Sequence, residues 1–307
     1  MQRFIHAIVV LAVAAPWVSG EDKLPKPLIT GLKNPHSATI GPDGRIYTTV
    51  KGDLLKEKDD SRGVVVIENG KARPFATGFD NPNGIVAWNE WLFVADQKQV
   101  WRIDKKGKAD VFAPAAAFPS PPHALVGITV DEEGTLYISD TGSLKDAGMF
   151  EGVAIYRINQ KGKVTLVSDA KRTPGLRSPR CLVMDGMSHL VVSEFLSSKL
   201  SRLKIGDGRE VQLASRDLSI VSGLAWDRHG RLYLSGKDSD DGYISVIPRP
   251  GEKPITLTSG VKWPDGICLD ATGKKILIVN SDAGTLTALP IKIPDHANVA
   301  IIGILPT

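Results

Sequence analysis

Along the chain, short apolar runs alternate with polar turns, and the alternation returns in register. "NPHSATIGPDGRIYTTV" (34–50), "NPNGIVAWNEWLFVADQ" (81–97), "ALVGITVDEEGTLYISD" (124–140), "SPRCLVMDGMSHLVVSE" (178–194), "IVSGLAWDRHGRLYLSG" (220–236) and "WPDGICLDATGKKILIV" (263–279) share one pattern. Each is a polar or Pro-led step, an apolar run, a turn and a second apolar run. The period of about 40–50 residues, built from runs too short for helices, is that of propeller blades. Apolar positions at i, i+3, i+4 are nearly absent over any ten residues.

Each unit predicts four strands. The first is a short apolar run such as Ile128–Val130. A D-x-x-G reversal follows, as in Asp131–Gly134, Asp227–Gly230 and Asp270–Gly273. There Asp bonds its own backbone and Gly accepts φ > 0. The second strand alternates β-branched and aromatic residues ("TLYISD", "RLYLSG"). The third is amphipathic ("QVWRID", "AIYRIN"), and the fourth follows a Gly- or Pro-containing hairpin ("VTLVSDA", "PITLTSG"). The last unit supplies only three strands, and "KPLITGL" (26–32) matches the missing outer one. The sequence therefore predicts an all-β, six-bladed propeller over residues 21–292, its ring closed by an N-terminal strand in the last blade, which removes two open edges.

Both ends lie outside that ring. Residues 1–20 carry Arg3, an apolar stretch of about 14 residues interrupted by Pro16, and small residues before Glu21, which predicts a cleaved secretory leader and a secreted or periplasmic protein. The stretch is short of the ~18–20 residues that span a bilayer, and no later run is apolar enough, so no membrane span is expected once the leader is removed. Residues 293–307 form a tail expected to pack on the underside. Of the net charge of +4, the leader supplies only Arg3, and the remaining excess is too small and dispersed for a nucleic-acid partner. Cys181 and Cys268 open apolar runs and read as buried thiols rather than a staple.

In a four-stranded blade the first strand starts, and the second ends, on one face of the disc. The third residues of the six steps, His36, Asn83, Val126, Arg180, Ser222 and Asp265, are thus expected to ring the channel mouth. Asp96, Asp140, Glu194 and Asn280 should lie slightly further out. Four long connections (51–63, 113–125, 141–153 and 170–179) gather on the same face, where binding usually sits. Asn83-Gly84 and Asp265-Gly266 are also turn dipeptides, so architecture alone accounts for them equally well. Asp265, His36 and Asn83 sit on neighbouring blades and offer a carboxylate, an imidazole and an amide to a divalent cation. Arg180 suits a carboxylate or phosphate ligand, or an internal pair with Glu194 or Asp140. Asp96 and Asp140 are acid/base candidates, His123 ("PSPPHAL") can swing toward the mouth, and the charged stretch 51–63 reads as a solvated loop. There is no G-x-S-x-G, HExxH, paired C-x-x-C or phosphate-cradling glycine loop.

The lines "NPNGIVAWNEWLFVADQ", "VGITVDEEGTLYISDTG", "SGLAWDRHGRLYLS" and "WPDGICLDATGKKILIV" resemble the gluconolactonase/regucalcin-like propellers (the senescence-marker-protein family) and, more loosely, NHL-repeat propellers. The resemblance covers nearly all of the chain after the leader. It implies the fold and, in members that hydrolyse lactones, one divalent metal at the mouth. The metal is held by an acid opening the first blade, asparagines opening the third and fourth, and an aspartate opening the fifth. Those slots hold His36, Val126, Arg180 and Ser222, none of the expected type. The reading that follows is a binding protein for a small polar or anionic, sugar-derived ligand held by Arg180, Asn83, His123 and Glu194, or for a protein partner held by the loops. The alternative is a lactone or ester hydrolase with catalytic groups among Asp265, His36, Asp96 and Asp140. It would use one divalent cation, calcium or zinc, relocated to Asp265, Asn83 and His36.

Overall fold

This computed structural model describes residues 24–292 apart from 54–60, 146–148, 196–198, 215–217, 219 and 239–240. The expected leader and tail lie outside the described residues. Each sequence unit forms one antiparallel sheet. Blade 1 comprises β1 (Pro35–Ile40), β2 (Ile46–Val50), β3 (Gly63–Glu68) and β4 (Lys71–Thr77), and blade 2 comprises β5 (Pro82–Trp88), β6 (Trp91–Asp96), β7 (Gln99–Ile103) and β8 (Ala109–Ala113). Blade 3 starts with β9 (Leu125–Val130) and β10 (Leu136–Asp140). An unforeseen ribbon, β11 (Ser143–Leu144) and β12 (Phe150–Glu151), rises from its loop before β13 (Ala154–Ile158) and β14 (Val164–Asp169). Blade 4 is β15 (Pro179–Asp185), β16 (His189–Glu194), β17 (Leu200–Lys204) and β18 (Glu210–Ala214). Blade 5 is β19 (Ile220–Trp226), β20 (Leu232–Lys237), β21 (Gly242–Ile247) and β22 (Ile255–Val261), and blade 6 is β23 (Pro264–Leu269), β24 (Lys275–Asn280) and β25 (Thr285–Pro290). The sole helical element among the described residues is a 3-10 turn at Ala115–Ala117, and none is long and apolar enough to cross a membrane.

The D-x-x-G reversals form for the predicted reason. Asp131 Oδ1 accepts the N–H groups of Glu133 (3.0 Å) and Thr135 (2.8 Å) while Gly134 takes φ +81°. Asp227 repeats this with His229 and Arg231 around Gly230 at +73°. A tyrosine from the second strand reaches back to the same carboxylate, as Tyr137 and Tyr233 do at 3.3 and 3.1 Å.

Closure comes from the expected segment, but as one isolated bridge, Ile29 with Leu286, beside a three-stranded blade 6 rather than as a full fourth strand. The segment before β1 pairs with β25: Leu28 N–H donates to Leu286 O (2.8 Å), Leu286 N–H to Ile29 O (3.1 Å) and Leu32 N–H to Gly284 O (2.9 Å). Inner strands pack consecutively, and β23 returns to β1. The core is divided among the blade interfaces. Phe93, Val100, Ile138 and Tyr156 seal blade 2 on blade 3, and Ile29, Leu32, Val50, Leu277 and Val279 seal blade 6 on blade 1. At roughly 1.5–3 kcal/mol per buried large apolar side chain, these seams hold the ring rigid. Rigidity matters because the mouth is assembled from all six blades. Both cysteines are free thiols.

Candidate ligand site at the channel mouth

The ring residues occupy equivalent irregularities. The pairing of inner with second strand slips at the same step in every blade, for instance between Pro35 and Ala38, Pro82 and Ile85, Pro179 and Leu182, and Pro264 and Ile267. A bulge bends the strand and re-aims its side chain, here at the start of the channel. Asn83-Gly84 and Asp265-Gly266 therefore lie inside β5 and β23, and the turn-dipeptide reading is replaced by close packing. A Cβ on Gly84 would stand 2.6 Å from Val126 O, and one on Gly127 2.3 Å from Arg180 O. Glycine is required because the next blade's backbone occupies that space.

A second device pins the ring. Thr49 Oγ1 donates to Asn83 O (2.6 Å), Ser139 Oγ to Arg180 O (2.6 Å) and Ser235 Oγ to Asp265 O (2.5 Å). Each hydroxyl comes from the second strand of one blade and fixes the third-position residue of the next. Ala95 occupies that place in blade 2, and there the Asn83 side chain bonds forward instead, donating Nδ2–H to Leu125 O at 2.7 Å. The signal was present in the repeats as a hydroxyl at one fixed step (Thr49, Ser139, Ser193, Ser235), although Ser193 donates one residue earlier, to Val221 O at 3.2 Å, and the Cys181 thiol takes Ser222 O.

At the mouth, Arg180 Nη2 donates to Asp265 Oδ1 at 2.9 Å, joining blades 4 and 6 with side chains 16% and 5% exposed. This corrects the expected partners Glu194 and Asp140. Phe195 supports the guanidinium, its ring centroid 5.0 Å from Cζ, and Arg180 Nε is buried without a partner. Lys51, just past β2, is the group that sequence reasoning missed by assigning it to a solvated loop. Burial and the Arg180 charge push its pKa down to about 8, with Asp265 pulling the other way. His36 is buried, and its Nδ1 has no partner. Burial first, then Lys51 and Arg180, hold it well below the ordinary imidazole value despite a backbone hydrogen bond with Asn83, so it is neutral at pH 7. Two cations, one carboxylate and a neutral imidazole leave the mouth net positive. Beneath it runs a channel cavity of ≈ 220 Å³ reached by His36, Ser222 and Cys181. The Cys181 thiol, pushed up to about 11 by burial and donating to Ser222 O, is not a nucleophile near neutral pH.

The outer acids are clamps. Asp140 accepts N–H from His123 (2.9 Å), Ala124 (2.9 Å) and Gly142 (3.0 Å). Asp96 accepts from Asp80 and Asn81 N–H and from Trp101 Nε1, and burial nonetheless raises its pKa. Glu194 Oε2 accepts from Arg177 and Ser178 N–H. Each acid at the end of a second strand thus ties down the connection entering the inner strand. These bonds engage the carboxylates that the sequence offers as acid/base and ligand groups. The His123 ring packs on Gly152, so closely that a Cβ there would lie 2.3 Å away, and its backbone carbonyl accepts from Gln97.

The residues present do not fit a divalent cation. Of the slots the resemblance implies, Val126 has no donor atom and Arg180 is itself a cation. In the relocated set, Asp265 already holds Arg180, the Asn83 amide is turned to Leu125, and His36 faces two positive charges. A cation placed there would be repelled by Lys51 and Arg180.

No family model matches the chain, and no curated protein matches it in sequence. Solved structures do match in shape. A gluconolactonase from Xanthomonas campestris superposes with a TM-score of 0.67 at 15% identity, covering 86% of this chain and 88% of its own. A second structure, named as a gluconolactonase-family protein, gives 0.61 at 14% identity, covering 87% and 93%. At such identity the likeness establishes the architecture, a gluconolactonase-like six-bladed propeller.

Proposed function

We propose that this gluconolactonase-like propeller binds a small anion, a sugar acid or comparable carboxylate, at its channel mouth. The observation that carries the reading is the Arg180–Asp265 pair. A half-buried guanidinium over the channel is held by one carboxylate, in a field made positive by Lys51, and a ligand carboxylate is the natural replacement for that internal partner. The ring hydroxyls and glycines hold the anchor in place, so little ordering cost is left for binding. The neutral His36, with Nδ1 unpartnered, supports a second reading, lactone hydrolysis with His36 as general base and no metal. The leader-like residues 1–20 support action outside the cytoplasm.

The test is thermal unfolding with gluconate, inorganic phosphate or glucose. Gluconate at about 100 times its Kd should stabilise the wild type by roughly 2.7 kcal/mol, and glucose should not. Arg180→Ala should lose the response and Asp265→Asn, which leaves Arg180 without an ionic partner, should enlarge it. An equal shift in wild type and Arg180→Ala refutes the anion site. Hydrolysis of gluconolactone, abolished in His36→Gln and indifferent to chelator, would favour the second reading.

A further inference from the structure

We infer that Lys51 is a carbonyl-capturing amine, so that the anion taken at the mouth is one bearing an aldehyde or ketone beside its carboxylate, a 2-oxo acid or an aldehydic sugar acid. The inference rests on the anion reading for its carboxylate anchor and adds a covalent step.

The backbone around Lys51 is fixed on both sides. Its N–H donates to Asn34 O (3.0 Å), Gly52 N–H donates to Lys33 O (3.2 Å), and the Asn34 side chain donates to Gly52 O (2.7 Å). The backbone is thus stitched to the segment that leads into β1 and His36. The side chain lies in the same cluster as Arg180, Asp265 and His36, yet makes no hydrogen bond or ion pair with any described residue. A half-buried lysine normally finds a carboxylate, and the nearby one, Asp265, is taken by Arg180 at 2.9 Å. The arrangement keeps the amine unengaged next to a cation, which is how a lysine nucleophile is activated. A pKa of about 8 in place of 10.5 raises the free-amine fraction at neutral pH about 300-fold over a surface lysine.

In the step, the Lys51 nitrogen lone pair adds to the ligand carbonyl carbon to give a carbinolamine. The carbonyl oxygen then leaves as water with the two amine protons, and a C=N bond remains. No oxidant or metal is required. Arg180 holds the ligand carboxylate, as an Arg–carboxylate pair fixes orientation.

Wild-type protein is treated with glyoxylate and cyanoborohydride, which reduces an imine to a stable secondary amine, and the modified lysine is located by peptide mass spectrometry. Glycolaldehyde serves as the uncharged probe. The expected result is labelling of Lys51 at least ten-fold above any other lysine, five-fold or more faster with glyoxylate than with glycolaldehyde, and protection by gluconate. Lys51→Arg should abolish the label. Labelling spread over surface lysines, or absent, overturns the inference. Equal rates with the two aldehydes overturn the carboxylate requirement. The gluconate thermal shift, measured separately on the same protein, keeps the two claims apart: a shift without Lys51 labelling removes the imine and leaves the anion site, whereas labelling without a shift removes the anchor.

Discussion

Arg180→Ala truncates an ion pair that crosses the mouth. It removes a 2.9 Å charged hydrogen bond and a stacking contact on Phe195, and strands Asp265, whose side chain is 5% exposed. Breaking a buried pair by deleting one partner costs about 3–5 kcal/mol, because the remaining charge is uncompensated. Here Arg180 keeps 16% exposure, and Lys51 is near enough to lend Asp265 a counter-charge, so the expectation falls to about 2–3 kcal/mol. At roughly 2–4 °C per kcal/mol for a large domain, the midpoint should drop by about 4–12 °C. Asp265→Asn keeps shape and a hydrogen-bond acceptor, so the double variant Arg180→Ala/Asp265→Asn should recover at least ~1 kcal/mol relative to Arg180→Ala alone. The assay is urea unfolding of the four proteins of the cycle, followed by fluorescence. Additive single effects, or an Arg180→Ala loss inside the ±0.5 kcal/mol typical of surface changes, would mean that the pair does not hold the mouth together.

Three further outcomes follow from the geometry. Gly127→Ala should cost more than about 2 kcal/mol, since its Cβ would meet Arg180 O at 2.3 Å, whereas Gly84→Ala, at 2.6 Å from Val126 O, should be somewhat milder; urea midpoints check the order. Asp140→Ala should destabilise by about 2–4 kcal/mol through three orphaned N–H groups, yet leave the gluconate affinity of the folded protein unchanged, which calorimetric titration would measure. Lys51 binds its proton less tightly when folded (about 8) than when unfolded, so the unfolded state carries the extra proton between those values and stability rises with pH from about 8 to 10.5. Lys51→Met should therefore be more stable than wild type at pH 7, by about 2 kcal/mol after allowing for partial exposure, and the difference should vanish by about pH 10.5. A pH-independent difference would contradict the depressed pKa.

The propeller was legible because its instructions are local. Asp131 and Gly134 reverse the chain within a few residues, "TLYISD" alternates in and out of one sheet, and "KPLITGL" repeats the chemistry of an outer strand. Each choice is made by neighbours in sequence, and the period then counts the blades. The placement of His36, Asn83, Arg180 and Asp265 at a common mouth followed from topology alone. What those groups do there was not legible. Arg180 and Asp265 lie 85 positions apart on non-adjacent blades, and nothing near either residue specifies that one reaches the other across the channel. The partners of Asp96, Asp140 and Glu194 were set only once the backbone N–H groups beside them were placed. Gly84 and Gly266 looked like turn residues until the next blade was packed against them. Lys51 resembled its charged neighbours because desolvation belongs to the assembled ring rather than to the residue. Sequence by itself therefore determined the blades, their number and the segment that closes the ring, through alternation and turn chemistry, but not the β11–β12 ribbon or the reduction of the closing strand to one bridge. Only the tertiary structure decided which charges meet and which are buried, because Coulomb energy and desolvation depend on distances and burial that arise once all six blades are in place.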